Sequence, residues 1–379
     1  MKYPLAYDNW SSKEVDVVTK LLKKRNLTLG KNVESFEKNF AAYHSMKYAV
    51  MVNSGSSANH LIFSTLNILN LLKKNDEVIV PSLGWSTSYS PLYFHNLNLN
   101  IIDVNLKTLN FNSSEIEKAI TKKTKAILAI NALGNPNEYD KICKICKKNN
   151  LILLEDNCEA FGAELNNKLA GSFGLMSSFS FYYSHHLTTI EGGMILTNSK
   201  KIYETLLSIR SHGWVRHKID ITQSPYYKFK KGFEFILPGY NLRPMELSGA
   251  LGNIQLNKSK KMLKIRRENA EFFVNTFCNN DDFIIQKEIG KSSWFNFSLI
   301  IKNKNKYPIR KLVDTLAKNK IDCRRVIGGD FISQKYSKYF KVNRVLNANS
   351  KYIHDYGLMV GNYDMNLKKQ IEYLNRILS

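Results

Sequence analysis

The sequence predicts an α/β protein: a large domain on a mainly parallel sheet, followed by a smaller α+β domain. Three observations carry this reading. Through residues 1–200, short apolar runs alternate with amphipathic stretches, the pattern of strands joined by crossover helices. The apolar runs are continuous, as in Leu151-Ile152-Leu153-Leu154, which suits strands covered on both faces. From about Pro244 the alternation gives way to one long helical stretch, Met245 to Phe277.

In chain order, strands are expected over Tyr48–Val52, Glu77–Val80, Asn100–Asp103, Ala126–Ile130 and Leu151–Glu155. Helices are expected between them, as at Ser56–Leu72 and Ser114–Ile120. Phe179–Tyr183 and Met194–Thr197 read as two further strands around a loop that holds His185. Beyond the long helix come a strand at Trp294–Ile301 and helices at Ile309–Asn319 and Met365–Leu378. The expected division is residues 1–250 for the large domain and 251–379 for the small one.

The formal charge is +23. Its lysines fall in scattered pairs such as Lys73-Lys74, Lys147-Lys148 and Lys260-Lys261 rather than in one block. No nucleic-acid motif accompanies them, so a lysine-rich solvated surface is favoured over a nucleic-acid partner. No apolar run approaches the roughly 20 residues that span a bilayer, and Met1–Leu5 lacks a signal-peptide core. A soluble, cytoplasmic protein is expected. The five cysteines are an odd number and widely spread, which argues against a disulfide framework. Cys143 and Cys146 form a CxxC on one face of a helix-like stretch, where burial as small apolar residues is favoured over metal or redox work.

Several segments point to a site. Asn53-Ser54-Gly55-Ser56-Ser57 follows a strand and opens a helix, a place where backbone N–H groups bind anions. Asp156 and Glu159 follow the most apolar strand, and carboxylates at that edge of a parallel sheet face its ligand crevice. Trp85 lies in a post-strand turn, and Ser180 precedes Ser184-His185-His186-Leu187.

Together with Gly239–Leu247, these segments resemble, in order and over almost the whole chain, the DegT/DnrJ/EryC1/StrS aminotransferase family. The resemblance implies a fold-type I, aspartate aminotransferase-like architecture and a pyridoxal 5′-phosphate (PLP) or pyridoxamine 5′-phosphate (PMP) cofactor. It assigns Gly55, Ser56 and Ser180 to the cofactor phosphate and Trp85 to stacking on its ring. Asp156 would face the ring nitrogen and Glu159 the ring hydroxyl. Asn241 would reach the phosphate of a neighbouring subunit's cofactor, which implies a homodimer with shared active sites.

Where that family carries a lysine that holds the cofactor covalently, this chain has His185. An imidazole cannot take that role, but it titrates near neutral pH and suits proton transfer. The histidine-bearing branch of the family implies loss of the C3 hydroxyl from a nucleotide-linked 4-keto-6-deoxyhexose, with GDP-4-keto-6-deoxymannose the expected substrate. L-Glutamate would renew PMP, and His185 would be the catalytic base. The alternative is a nucleotide-sugar aminotransferase with an atypical histidine. Expected substrate contacts are His212, Arg216, Arg324 and Arg325; for each arginine a solvated loop residue is the competing reading. An iron–sulfur relative also uses histidine here. No cysteine lies between Cys158 and Cys278, too few to ligate such a cluster in that region, and no metal is expected.

Overall fold

A computed structural model describes residues 1–215 and 234–379. The strands are β1 (Tyr48–Val52), β2 (Glu77–Pro81), β3 (Asn98–Ile102), β4 (Thr124–Ile130), β5 (Ile152–Asp156), the short pair β6 (Glu164–Leu165) and β7 (Lys168–Leu169), β8 (Met176–Ser180) and β9 (Gly193–Thr197). They continue with β10 (Phe283–Ile285), β11 (Asn296–Ile301), β12 (Cys323–Arg325), β13 (Lys341–Val345) and β14 (Gly357–Gly361). The helices are α1 (Ser12–Lys24), α2 (Lys31–Tyr43), α3 (Gly55–Ile68), α4 (Ser86–Phe94), α5 (Ser113–Ile116), α6 (Tyr139–Asn149), α7 (Lys200–Arg210), α8 (Glu246–Phe277), α9 (Ile309–Lys318), α10 (Ala348–Tyr356) and α11 (Lys368–Ile377).

An eight-stranded mixed sheet has the order β1-β9-β8-β5-β4-β2-β3-β13. Its pairs from β8 to β13 are parallel, while β9 runs antiparallel to both β1 and β8. Burial on both faces explains the continuous apolar runs. In β5, Leu153 and Leu154 enter two different core clusters, because successive strand residues point to opposite faces. A four-stranded sheet, β10-β11-β14-β12, packs against α8, α9 and α11 through a second core that includes Phe273, Phe297, Leu316 and Ile371.

The strand expected over 179–183 ends at Ser180. Tyr182 and Tyr183 are exposed and belong to the loop that follows. Two segments cross the division expected at residue 250. Strand β13 returns to the large sheet beside β3, and the N-terminal Tyr3 is buried in the small sheet's core and bridges Ile321.

Helix α8 spans both cores because its first turn docks on α2. Glu246 accepts hydrogen bonds from the backbone N–H groups of Asn32 at 2.7 Å and Val33 at 3.3 Å, which caps the N-terminus of α2. A Cβ on Gly252 would come within 2.4 Å of the Phe36 ring, so the two helices approach at a distance that a larger side chain forbids. This packing brings α8 behind the His185 loop.

Candidate active site

The C-terminal ends of β1, β4, β5 and β8 and the start of antiparallel β9 converge on a cavity of about 270 Å³. Ligands of parallel sheets bind at this edge because successive chain reversals there leave a crevice. The structure brings Gly55, Ser56, Trp85, Asp156, Glu159, Ser180, His185 and Arg324 to its wall, all of them residues singled out from the sequence.

At one end stands the N-terminus of α3. Ser54 caps it by accepting from the Ser57 N–H at 3.1 Å, which leaves the first N–H groups of the helix without intrahelical partners. Gly55 is required here: a Cβ would lie 2.6 Å from Cβ of Ser180 and 3.0 Å from Sγ of Cys158. Ser56 donates its hydroxyl to Oγ1 of Thr87 at 2.8 Å. The result is a small, hydroxyl-lined anion cradle.

Asp156 ends β5 and is buried. Its Oδ2 accepts from Nδ2 of Asn59 at 2.9 Å and from the Ser88 hydroxyl at 2.7 Å. Asn59 is itself oriented, because its Oδ1 accepts from the Ser178 hydroxyl at 2.6 Å. The carboxylate is therefore fixed in one plane toward the cavity.

Glu159 accepts from the Leu133 N–H at 3.1 Å. Burial pushes its pKa up to about 7 against the opposing charge of Arg324, with Asp156 adding to the rise. Trp85 stands at the start of α4 and remains 48% exposed, so its indole forms an open shelf at the cavity rim. The Arg324 guanidinium, from β12 of the small sheet, lies 5.7 Å from the indole centroid, a cation–π contact that closes the rim from the opposite side.

His185 is half-buried on the loop after β8. Its Nδ1 lies 2.5 Å from the Cys158 carbonyl oxygen. A carbonyl only accepts, so Nδ1 carries the proton and Nε2 keeps its lone pair. Burial lowers the imidazole pKa to about 4. The Cys158 hydrogen bond and Asp156 act in the other direction, while Arg324 and Arg266 lower it further. The ring is thus uncharged at neutral pH. His186 turns the other way and is buried, with Nε2 against the Ser293 carbonyl at 3.0 Å.

Three expected residues among the described ones are not brought to the cavity wall of this chain. Arg325 is exposed, donates from Nε to the His354 carbonyl at 3.1 Å and lines a neighbouring cavity. His212 has a left-handed backbone (φ 64°) and packs at a tilt beside Trp214, with ring centroids 4.9 Å apart. Asn241 is exposed and accepts from Nε of Arg243 at 3.1 Å. Arg216 lies outside the described residues. The sequence reading missed Asn59 and Ser88. Their signal was spacing: Asn59 is four residues after Gly55 and Ser88 three after Trp85, so each shares a helix face with a predicted contact. Cys143 and Cys146 sit on α6, where burial raises both thiol pKa values, that of Cys146 to about 12.

Comparisons with known proteins find relatives along the whole chain. Residues 9–372 match the DegT/DnrJ/EryC1/StrS aminotransferase family. The chain is 43% identical over 389 residues to the GDP-4-keto-6-deoxy-D-mannose 3-dehydratase of Escherichia coli O55:H7, covering 100% of both. A solved structure of the E. coli enzyme with bound hydrated PLP superposes with a TM-score of 0.96 at 42% identity and covers 100% of both chains. A second structure, of GDP-4-keto-6-deoxymannose-3-dehydratase with a trapped PLP-glutamate geminal diamine, gives the same TM-score of 0.96 at 42% identity and again covers 100% of both chains. The chain belongs to the DegT/DnrJ/EryC1/StrS aminotransferase family.

Proposed function

We propose that this protein is a PLP/PMP-dependent 3-dehydratase acting on GDP-4-keto-6-deoxymannose. The net reaction converts the ketosugar and L-glutamate into the 3-deoxy-4-ketosugar, 2-oxoglutarate and ammonia. The observation that carries this reading is His185: an uncharged imidazole with Nε2 unprotonated, where the family uses lysine. Relatives at 42–43% identity over the full chain carry the same named activity, and one of their structures holds a glutamate adduct of PLP.

The residues fit the cofactor. The Gly55-Ser56 cradle with Ser180 suits its phosphate, because a Cβ at Gly55 would fill the space beside Ser180. Asp156, oriented by Asn59 and Ser88, suits a cationic ring nitrogen, whose proton an adjacent carboxylate retains. Trp85 offers an apolar face and Glu159 a carboxyl group near neutrality. When bound, the cofactor supplies an electron sink conjugated to the sugar carbon next to C3.

The chain's own residues do the rest. Nε2 of His185 takes the proton whose removal starts the electron flow, and the resulting imidazolium can return it to the departing C3 hydroxyl as water leaves. With no lysine in the loop, nothing there recaptures the cofactor covalently. Arg324 brings a fixed positive charge over the rim for the sugar nucleotide. We assign Arg325 and His212 to the outer part of the same substrate path, and keep Arg216 as a further proposed substrate contact. Asn241, exposed on this chain, would serve the cavity of a second copy in a homodimer. All five cysteines are free, which suits a reducing, cytoplasmic setting. Among the described residues no helix is long and apolar enough to cross a membrane.

The test is mass spectrometry of reactions containing GDP-4-keto-6-deoxymannose, PLP and glutamate. The expected product is lighter than the ketosugar by one oxygen, with matching ammonia and 2-oxoglutarate. An amino-sugar product would overturn the proposal in favour of amino transfer.

A further inference from the structure

Phe295 packs beside His185 without lining the cavity itself. It is buried, and its ring centroid lies 5.1 Å from that of His185 at an interplanar angle of 40°, and 5.7 Å from that of His186. Its backbone is held at both ends. The N–H donates to the Leu133 carbonyl at 2.9 Å, and its own carbonyl accepts from Nη1 of buried Arg266 at 3.0 Å. The same short segment donates from Ser293 N–H to Gly134 O at 2.9 Å. A Cβ on Gly134, which has φ of 87°, would come within 2.7 Å of Trp294 N. Residues 292–295 are therefore clamped against residues 132–134, which ties the Phe295 backbone to the turn that also holds Glu159 through Leu133.

We propose that Phe295 is a positioning residue for His185: its ring and the Cys158 carbonyl together confine the imidazole so that Nε2 faces the cavity, and the ring shields the imidazole from water. This rests on the assignment of His185 as the base. An imidazole held by one hydrogen bond can still rock about it; an apolar ring packed at a tilt beside it restricts that freedom and favours one near-attack geometry. The shielding also favours the uncharged form, since burial disfavours the cation. The groups facing His185 are Asp156 from β5, Glu159 and the Cys158 carbonyl from the turn after it, Arg324 from β12, Arg266 from α8, and neighbouring His186 and Tyr182. Removal of Phe295 leaves these charges in place, so a change in His185 titration reports the lost apolar cover.

The experiment is nitrogen-15 histidine NMR titration of the full chain, with His185→Asn identifying the resonance, beside kcat and KM across pH. In Phe295→Ser the His185 midpoint is expected to rise from about 4 toward the ordinary value of about 6.5, with kcat about 10-fold or more lower and KM little changed. The acid limb of kcat should follow the same shift. Phe295→Leu, which keeps apolar volume without the flat face, should lower kcat with a smaller change of midpoint. It also carries the test should the serine variant not fold. An unchanged midpoint together with unchanged kcat in both variants overturns the proposal, as does a loss of kcat with no change in titration. Full activity in His185→Asn would instead overturn the base assignment while the NMR result still stands.

Discussion

Asp156 and His185 are joined through the backbone of a single residue. The Cys158 N–H donates to Oδ1 of Asp156 at 3.0 Å, and the Cys158 carbonyl accepts from Nδ1 of His185 at 2.5 Å. The carboxylate and the imidazole are therefore hydrogen-bonded to the two peptide groups that flank the Cys158 Cα. A change at either residue is therefore expected to disturb the other through Cys158.

His185→Asn should retain the fold and lose about 10²–10⁴-fold in the rate of deoxygenation, the range ascribed to one general base. His185→Lys should lose the same activity and gain the visible absorption of a lysine-bound cofactor. Continued 3-deoxysugar formation in the lysine variant, measured by mass spectrometry, would contradict the role given to the imidazole.

Asp156→Asn should weaken the site on two counts. An amide has one accepting and one donating end, so it cannot satisfy Asn59, Ser88 and the Cys158 N–H together. The buried donor left over costs about 1–3 kcal/mol of stability, readable in urea denaturation. Cofactor affinity, followed by equilibrium dialysis, should fall as well.

The buried pair Arg210–Glu37 should behave as a structural lock. Nη1 of Arg210 lies 2.7 Å from Oε1 of Glu37 and 2.7 Å from the Met51 carbonyl, and that same Oε1 accepts the Met51 N–H at 2.7 Å. Arg210→Met leaves a buried carboxylate without its counter-ion and should cost about 3–5 kcal/mol. The double change Glu37→Leu with Arg210→Met should recover much of that loss in the same denaturation assay.

Glu14 should impose an acid limit on stability. Burial alone would raise its pKa, but hydrogen bonds from Lys258 and Ser11, with the charge of Lys258, hold it down at about 2. The folded value lies below the unfolded one of about 4.3, so this contribution is complete above that value and is lost as pH falls toward 2. Glu14→Gln should flatten that part of the pH–stability curve. Because Glu14 also accepts from Gln255 at 2.8 Å, and Gln255 accepts from the Thr188 N–H at 3.4 Å, the variant should also loosen the His185 loop, visible as faster amide exchange at Thr188.

Much of the large sheet was legible in residue order. Runs such as Tyr48–Val52 and Leu151–Glu155 announce buried strands, and the motifs around Gly55, Asp156 and His185 stand at strand ends. Local signals carry that information, because periodicity and helix-start chemistry act over a few residues. The strand expected to reach Tyr183 stopped at Ser180, since aromatic residues suit a strand and an exposed loop alike.

By itself the sequence determined the α/β class, the order of the residues that line the cavity and the presence of His185 where the family has lysine. Only the tertiary structure decided that β13 rejoins the large sheet, that Arg324 lies over Trp85, that Asn59 and Ser88 orient Asp156, and that Phe295 backs His185. Strand β13 meets β3 across 243 positions at Lys341 and Asn98, and the Phe331 N–H reaches the Ser82 carbonyl across 249. No short-range period encodes such pairings. They follow from which apolar faces the chain must bury against each other, a choice made by the packing of the whole molecule.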